Sequence, residues 1–298
     1  MPGLELPRNL VSRLVSPDAD GEQRAWSAEL PAIAEELAGR WSLRLGQPFQ
    51  PGGQTAWVAP ARSKAGDRLV LKLAWTHEEA LHEAEGLRAW NGNGTVLLYA
   101  SCTVGRATAM LLEACEPGTL LSERLPPAEQ DAVLAGLLRR LWIEPPPDGP
   151  FRPLTVMCES WAAEFEQEYA TAAGRGEGRL DPGLARAGIE LFRMLPETAD
   201  QDVLLSTDLH HGNVVAATRE PWLAIDPTPY RGDPAFDPLQ HMLNFPDRLA
   251  AGPGRFTDQM AGLLDLDRKR LRHWLFARCV QESAGKPWLR PIASGLAP

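Results

Sequence analysis

"LLSTDLHHGNVV", residues 204–215, places one Asp, two His and one Asn within six positions, between two aliphatic runs. Asp and Asn side chains hydrogen-bond their own backbone, so such a cluster marks a turn between short strands. The spacing carries more than a turn. Asp208 and Asn213 stand in a D-x-x-x-x-N arrangement, in which the acid can take a hydroxyl proton and the amide can hold a metal ion. Thirteen residues after Asn213 comes Asp226, in "WLAIDPTP", and the intervening "ATREP" turns the chain back. That turn brings Asn213 and Asp226 to adjacent strand ends. Two oxygen ligands suit Mg²⁺, which keeps several waters and bridges phosphates.

His210 and His211 offer a rival reading as ligands of a metal hydrolase. Adjacent residues of a strand point to opposite faces, so one metal rarely takes both. Buried or helix-capping roles are the alternative.

Farther out, the N-terminal half reads as a small sheet. "EQRAWSAELPAIAEELAGRWSL" has helical spacing, with Pro31 breaking or starting the helix. Residues 45–75 then alternate β-prone runs with turns, ending in "SKAGD" and "RLVLKLAW". Lys72 is the only lysine in a β-prone run. It sits between Leu71 and Leu73, so its side chain leaves the sheet on the face opposite those leucines. A solvated strand face is the ordinary alternative. "THEEALHEAEGLRAW" follows as an amphipathic helix, with Thr76 as cap and Glu79 completing a capping box. Glu83 lies four residues before Leu87 and seven before Trp90, at the edge of the apolar stripe, where it can reach Lys72. Glu79 is the second choice. "PGGQTA", with Gly52 and Gly53, can close over phosphates as a hairpin loop. "TVLLYAS" and "ATAMLLEAC" complete an antiparallel sheet of about five strands with one helix on it.

From "PPAEQDAVLAGLLRRLWIE" (126–144) onward the pattern turns helical, with further helices near 155–172, 181–195, 256–263 and 267–283. Only 202–206, 213–217 and 222–225 read as strands there. At 298 residues and 44% hydrophobic, the chain can bury a sizeable core. A net charge of -9 argues against nucleic acid or an anionic membrane as partner and favours a cationic small molecule. Cys102, Cys115, Cys158 and Cys279 form no C-x-x-C pair, and no apolar run approaches the ~18 residues of a membrane span. These features place the protein in the cytoplasm with reduced thiols, and no obligate protein partner is inferred.

The order of these pieces, over about residues 45–245, resembles the aminoglycoside phosphotransferase branch of the protein-kinase-like fold. "DLHHGNVV", "REPWLAIDP" and "GDPAFDP" together look like its streptomycin 6-kinase and hydroxyurea phosphotransferase subgroup. The resemblance implies an α+β, two-lobed fold: an N-terminal nucleotide-binding lobe (1–113), a hinge (114–118) and a helical lobe with the catalytic loop and acceptor site (119–298). It implies ATP and Mg²⁺ as cofactors. Asp208 would be the catalytic acid–base group, Asn213 and Asp226 the metal ligands, Lys72 the phosphate contact and Glu83 its orienter, with the backbone of Glu113 and Cys115 on the adenine. A His-Gly pair usually precedes the family's catalytic Asp, and here Ser206 and Thr207 stand instead. Protein kinases carry Arg just before that Asp, so the backbone there is not expected to need a positive φ.

Polycationic acceptors imply carboxylates in the helical lobe. Residues 154–174 hold four Glu and no Lys or Arg, and Glu164 and Glu168 repel at i,i+4. Both are candidate acceptor contacts. In "RGDPAFDP", the resemblance implies that Asp233 braces the catalytic loop and that Asp237 caps the next helix, and Asp237 is also a candidate acceptor contact. The leading function is ATP-dependent phosphorylation of a hydroxyl on an aminoglycoside of the streptomycin type. The alternatives are another small acceptor, such as an amino sugar or a hydroxyurea-like compound, and a nucleotide-binding protein without turnover.

Overall fold

The computed structural model describes residues 4–17, 19–77, 81–174 and 179–298. The chain divides into two compact units, Met1–Gly118 with Ala217–Arg219, and Thr119–Ala216 with Glu220–Pro298.

The first unit opens with α1 (Arg8–Val15) and α2 (Gly21–Arg40). Asp20 caps α2 by accepting the N–H of Glu22 at 2.8 Å, and Trp26, Leu30, Ile33, Ala34 and Leu37 form its buried stripe. Pro31 neither breaks nor starts this helix but lies inside it. It occupies the exposed side, so the carbonyl four residues back, which loses its N–H partner, can be hydrated.

Strands β1 (Arg44–Leu45), β2 (Ala56–Arg62), β3 (Arg68–Trp75), β4 (Leu98–Val104) and β5 (Ala107–Glu113) form one antiparallel sheet in the order β1-β2-β3-β5-β4. Trp57, Ala59, Leu71, Leu73 and Ala109 share one buried cluster with Leu30, Ile33 and Leu37 of α2. Alternation along β3 then sends Lys72, in register with Val58 and Met110, to the opposite face. Helix α3 (Glu83–Trp90) starts later than the sequence suggests. Thr76 does not cap it: the Thr76 N–H goes to the Arg106 carbonyl at 2.9 Å and its hydroxyl bonds that of Thr108 at 3.0 Å, which continues the strand edge. Glu79, the other half of the expected capping box, lies outside the described residues.

In the second unit, α4 (Leu121–Arg124), α5 (Pro127–Leu141), α6 (Leu154–Gly174) and α7 (Pro182–Met194) precede four short strands. These are β6 (Val203–Leu205), β7 (Val214–Ala216), β8 (Trp222–Ala224) and β9 (Tyr230–Gly232). Helices α8 (Pro238–Leu243), α9 (Pro246–Ala251), α10 (Pro253–Leu264), α11 (Arg268–Glu282) and α12 (Arg290–Leu296) follow. β6 pairs with β9 and β7 with β8, both antiparallel, so each end of the 204–215 motif is pinned by a ladder. No helix among the described residues is long and apolar enough to cross a membrane.

Helices α7 and α11 meet at Gly188, where an added Cβ would lie 2.4 Å from Cγ2 of Val280. Alanine is the better helix former, but overpacking outweighs that gain. Gly188→Ala is expected to lower stability by about 1–3 kcal/mol. The check is a urea midpoint that falls at unchanged slope.

Candidate active site

The turn from β6 to β7 is held by its own backbone: Asp208 N–H donates to the Ser206 carbonyl at 2.7 Å and Asn213 N–H to that of His210 at 2.9 Å. Ile225 N–H donates to the Asn213 carbonyl at 2.9 Å, extending the β7–β8 ladder and setting Asn213 and Asp226 at neighbouring strand ends. The amide nitrogen of Asn213 donates to Asp208, to its carbonyl at 3.1 Å and to Oδ2 at 3.2 Å. Gln240 of α8 donates to Oδ1 at 2.8 Å. Burial pushes the Asp208 carboxyl up to about 6; the Gln240 bond opposes the shift, and the charge of Asp226 adds to it. Because the Asn213 nitrogen is committed to Asp208, its amide oxygen is the atom left for a cation. With the exposed carboxylate of Asp226, this makes an all-oxygen donor set that fits Mg²⁺.

Thr207 departs from expectation. Its φ is +49°, in the left-handed region that a β-branched residue rarely adopts, so this backbone does favour glycine. The strain is held by surrounding bonds. Thr207 N–H donates to Asp237 Oδ1 at 2.7 Å, and its hydroxyl donates to the Thr228 carbonyl at 2.5 Å. The Ser206 carbonyl accepts the Thr228 N–H at 2.9 Å, tying the loop to the segment that follows Asp226. Its hydroxyl is buried with no hydrogen-bond partner among the described residues.

The roles expected of the two aspartates in "RGDPAFDP" are exchanged. Asp237 is fully buried and accepts from Ser206 N–H, Thr207 N–H and Trp142 Nε1, so it braces the loop that carries Asp208. It makes no cap bond to α8, and its burial leaves no room for an acceptor contact. Asp233 does the capping, accepting Ala235 N–H at 3.0 Å, and pairs with Arg270 at 2.6 Å.

His210 and His211 stand in the loop rather than in a strand, with ring centroids 5.8 Å apart and planes at 78°. Among the described residues, no group of three or more His, Cys, Asp or Glu side chains is placed to hold a metal. His210 Nδ1 accepts the Gly212 N–H at 3.0 Å. Burial, reinforced by His211, pushes the imidazole down to about 4. A histidine kept neutral in the fold protonates first in the unfolded chain, so its contribution is present above its ordinary value and lost as pH falls below it. His210→Asn keeps an acceptor for the same N–H, as in an Asx turn. It is expected to lose about 1 kcal/mol less stability than the wild type between pH 7.5 and 5.5, measured by urea unfolding at both values.

Two buried groups behind the loop escaped the sequence reading. Asp131 of α5 is fully buried and accepts from His241, Arg248 and Gln259 at 2.6–2.9 Å. Burial alone would raise its carboxyl, but the bonds from His241 and Arg248 hold it below the ordinary range. Arg278 of α11 is buried, pairs with Glu282 at 2.6 Å and lies 4.3 Å over the Trp161 ring. Both fall on apolar stripes, Asp131 with Leu134, Ala135 and Leu138, and Arg278 with Leu271, Trp274 and Leu275. A charge on such a stripe was the available signal.

In the first unit, Lys72 Nζ donates to both carboxylate oxygens of Glu83, at 2.7 and 2.8 Å, with each side chain only 7% exposed. The solvated-face alternative for Lys72 is thereby excluded. Gly52 has φ +72°, and an added Cβ would lie 2.4 Å from Pro7, so packing against the N-terminal segment accounts for this glycine. Asn9 donates to the Gly52 carbonyl at 2.8 Å, and Gly53 follows in the same loop. Glu113 donates its backbone N–H to the Leu97 carbonyl at 2.9 Å, which removes that group from adenine contacts. Its carboxylate is clamped by Arg219, at 2.9 Å. Burial, with the Glu113 charge beside it, pushes the Cys115 thiol up to about 12.

The glutamates of α6 separate into two groups. Glu159 and Glu166 are paired with Arg193 of α7, at 2.8 and 2.7 Å, so they are not the uncompensated cluster the sequence suggests. Glu164 and Glu168 are exposed and line a pocket of about 490 Å³ with Tyr169, Arg179, Ser283 and Arg290.

Residues 40–288 match the family model described as aminoglycoside/hydroxyurea antibiotic resistance kinase. The chain is 36% identical to a streptomycin 6-kinase of Streptomyces glaucescens, over 99% of this chain and 96% of that one. It is 37% identical to a hydroxyurea phosphotransferase of Kitasatospora aureofaciens, over 93% and 79% respectively. The fold resembles that of an ethanolamine kinase from Plasmodium vivax (TM-score 0.57, 14% identity, 92% of this chain and 83% of that one). It also resembles a choline kinase from Cryptosporidium parvum (TM-score 0.56, 11% identity, 89% and 92%). The chain belongs to the aminoglycoside/hydroxyurea antibiotic resistance kinase family and is an ATP-dependent phosphotransferase with a kinase-like fold.

Proposed function

We propose that the chain transfers the γ-phosphoryl group of ATP to a hydroxyl of a cationic aminoglycoside, with streptomycin the first choice. Asp208 orients that hydroxyl and takes its proton as the new O–P bond forms; the bond to the β-phosphate oxygen breaks and ADP leaves. Asn213 and Asp226 would hold Mg²⁺, which when bound would neutralise charge on the phosphate oxygens. Lys72 contacts the α- and β-phosphates and Glu83 keeps its ammonium in place, while the hinge, 114–118, serves the adenine. A cytoplasmic site of action agrees with the use of ATP.

The observation that carries this reading is the hydrogen bonding of Asp208. One neutral amide donor sits on each of its oxygens, and the Asn213 donor is also a candidate metal ligand. The similarity to streptomycin 6-kinases supports the acceptor class, and the hydroxyurea phosphotransferase relative supports hydroxyurea as the second choice. ADP release with streptomycin, with hydroxyurea and with neither separates the two, and equal rates in all three would reject both.

Glu164 and Glu168 supply the acceptor test. Their attraction for a cation is screened over about 8–10 Å at physiological salt, so the acceptor KM should rise with ionic strength. Glu164→Gln/Glu168→Gln is expected to raise that KM severalfold and flatten its salt dependence, with helix stability equal or slightly better. Unchanged acceptor kinetics would make the pair a solvated face.

A further inference from the structure

Among the described residues, two side chains donate to the Asp208 carboxylate, and only one of them, Asn213, has a role so far. Gln240 is the third residue of α8, and its side-chain nitrogen donates to Asp208 Oδ1 at 2.8 Å. Its backbone is anchored on both sides. Three residues earlier, Asp237 is fully buried and grips the N–H groups of Ser206 and Thr207. The next residue, His241, is fully buried against Asp131 at 2.9 Å. The Gln240 carbonyl accepts from Asn244, through the side chain at 2.8 Å and the backbone at 3.2 Å. One helical turn therefore holds the loop backbone through Asp237 and the acid through Gln240.

The two oxygens of Asp208 are not equivalent. Oδ1 receives the short Gln240 bond, whereas Oδ2 receives the longer one, 3.2 Å, from an Asn213 nitrogen shared with the Asp208 carbonyl. We propose that Gln240 is a positioning residue for phosphoryl transfer: by occupying Oδ1 it fixes the Asp208 carboxylate and leaves Oδ2 to take the acceptor's proton. The proposal rests on Asp208 being the proton acceptor. A neutral amide suits the task, since a cation would lower the basicity of the Asp208 carboxylate and a second carboxylate would repel it.

The test compares Gln240→Ala and Gln240→Met, the latter keeping bulk without a donor, with Asp208→Asn and the double variant Asp208→Asn/Gln240→Ala. ADP release is measured with streptomycin and Mg-ATP. Loss of the donor is expected to lower kcat roughly tenfold to a hundredfold, with the KM for Mg-ATP and the Tm close to wild type. In the Asp208→Asn background the same substitution should have no further effect, because the carboxylate that Gln240 positions is no longer there to take the proton. A purely structural role would add its full loss in both backgrounds. The proposal is overturned if both Gln240 variants keep kcat within about twofold of wild type. It is equally overturned if their losses recur in the Asp208→Asn background, or if both lose Tm while activity per folded molecule is unchanged. Slow Asp208→Asn with fast Gln240→Ala rejects only the role of Gln240, whereas fast Asp208→Asn rejects the proposed function itself.

Discussion

Asp208→Asn should lower phosphoryl transfer by roughly 10² or more while leaving nucleotide binding nearly intact, the scale for losing a positioned base. Asparagine fills the same space and still accepts a hydrogen bond on its oxygen, so the contact with Gln240 can survive. What it loses is the capacity to take a proton. The check is single-turnover transfer at saturating acceptor, alongside nucleotide affinity by fluorescence or calorimetry. A variant with near-normal turnover would remove Asp208 from the chemistry, and a variant that fails to bind nucleotide would give it a different role.

The candidate residues that were readable from sequence are those that a known chemistry would place at a fixed spacing. Asp208, Asn213 and Asp226 follow a rule of intervals, and the aliphatic residues around them form the short ladders that set those intervals in space. The contact of Lys72 with Glu83 was readable for a related reason: strand alternation sends Lys72 away from Leu71 and Leu73, and helical spacing turns Glu83 inward. What could not be read depends on contacts remote in sequence. Asp233 and Asp237 both precede proline, and only the Trp142 ring nitrogen, 95 residues away, and two loop N–H groups single out Asp237 as the brace. The positive φ of Thr207 is held by that same brace and by Thr228, and the glycine that the family usually carries there was the available signal. Pro31 misled because propensity favours a break, whereas burial of the stripe from Trp26 to Leu37 decides for a continuous helix.

Lys72→Met is expected to reduce turnover by roughly 10² or more, the scale for removing a charge-stabilising donor from a preorganised site. Methionine keeps the apolar stem in the sheet but leaves the Glu83 carboxylate buried without its cation, so some stability is lost as well. Glu83→Gln should reproduce part of the kinetic loss by releasing the ammonium from its fixed position. The double variant Lys72→Met/Glu83→Gln should be no slower than Lys72→Met alone, because one contact cannot be lost twice. It should also recover stability, since no unpaired buried charge remains. Fully additive kinetic losses would show that Glu83 serves the reaction independently of Lys72.

The most direct measurement is phosphorus NMR of the products after incubation with Mg-ATP and streptomycin, read against the Asp208→Asn variant. The expected spectrum contains a phosphomonoester resonance correlated to a carbon-bound proton of streptomycin, growing in step with ADP and nearly absent with Asp208→Asn. Conversion of ATP to ADP and inorganic phosphate without any ester, or ester formation at the same rate in the variant, would contradict the assignment of this site as a hydroxyl-directed phosphotransferase centred on Asp208.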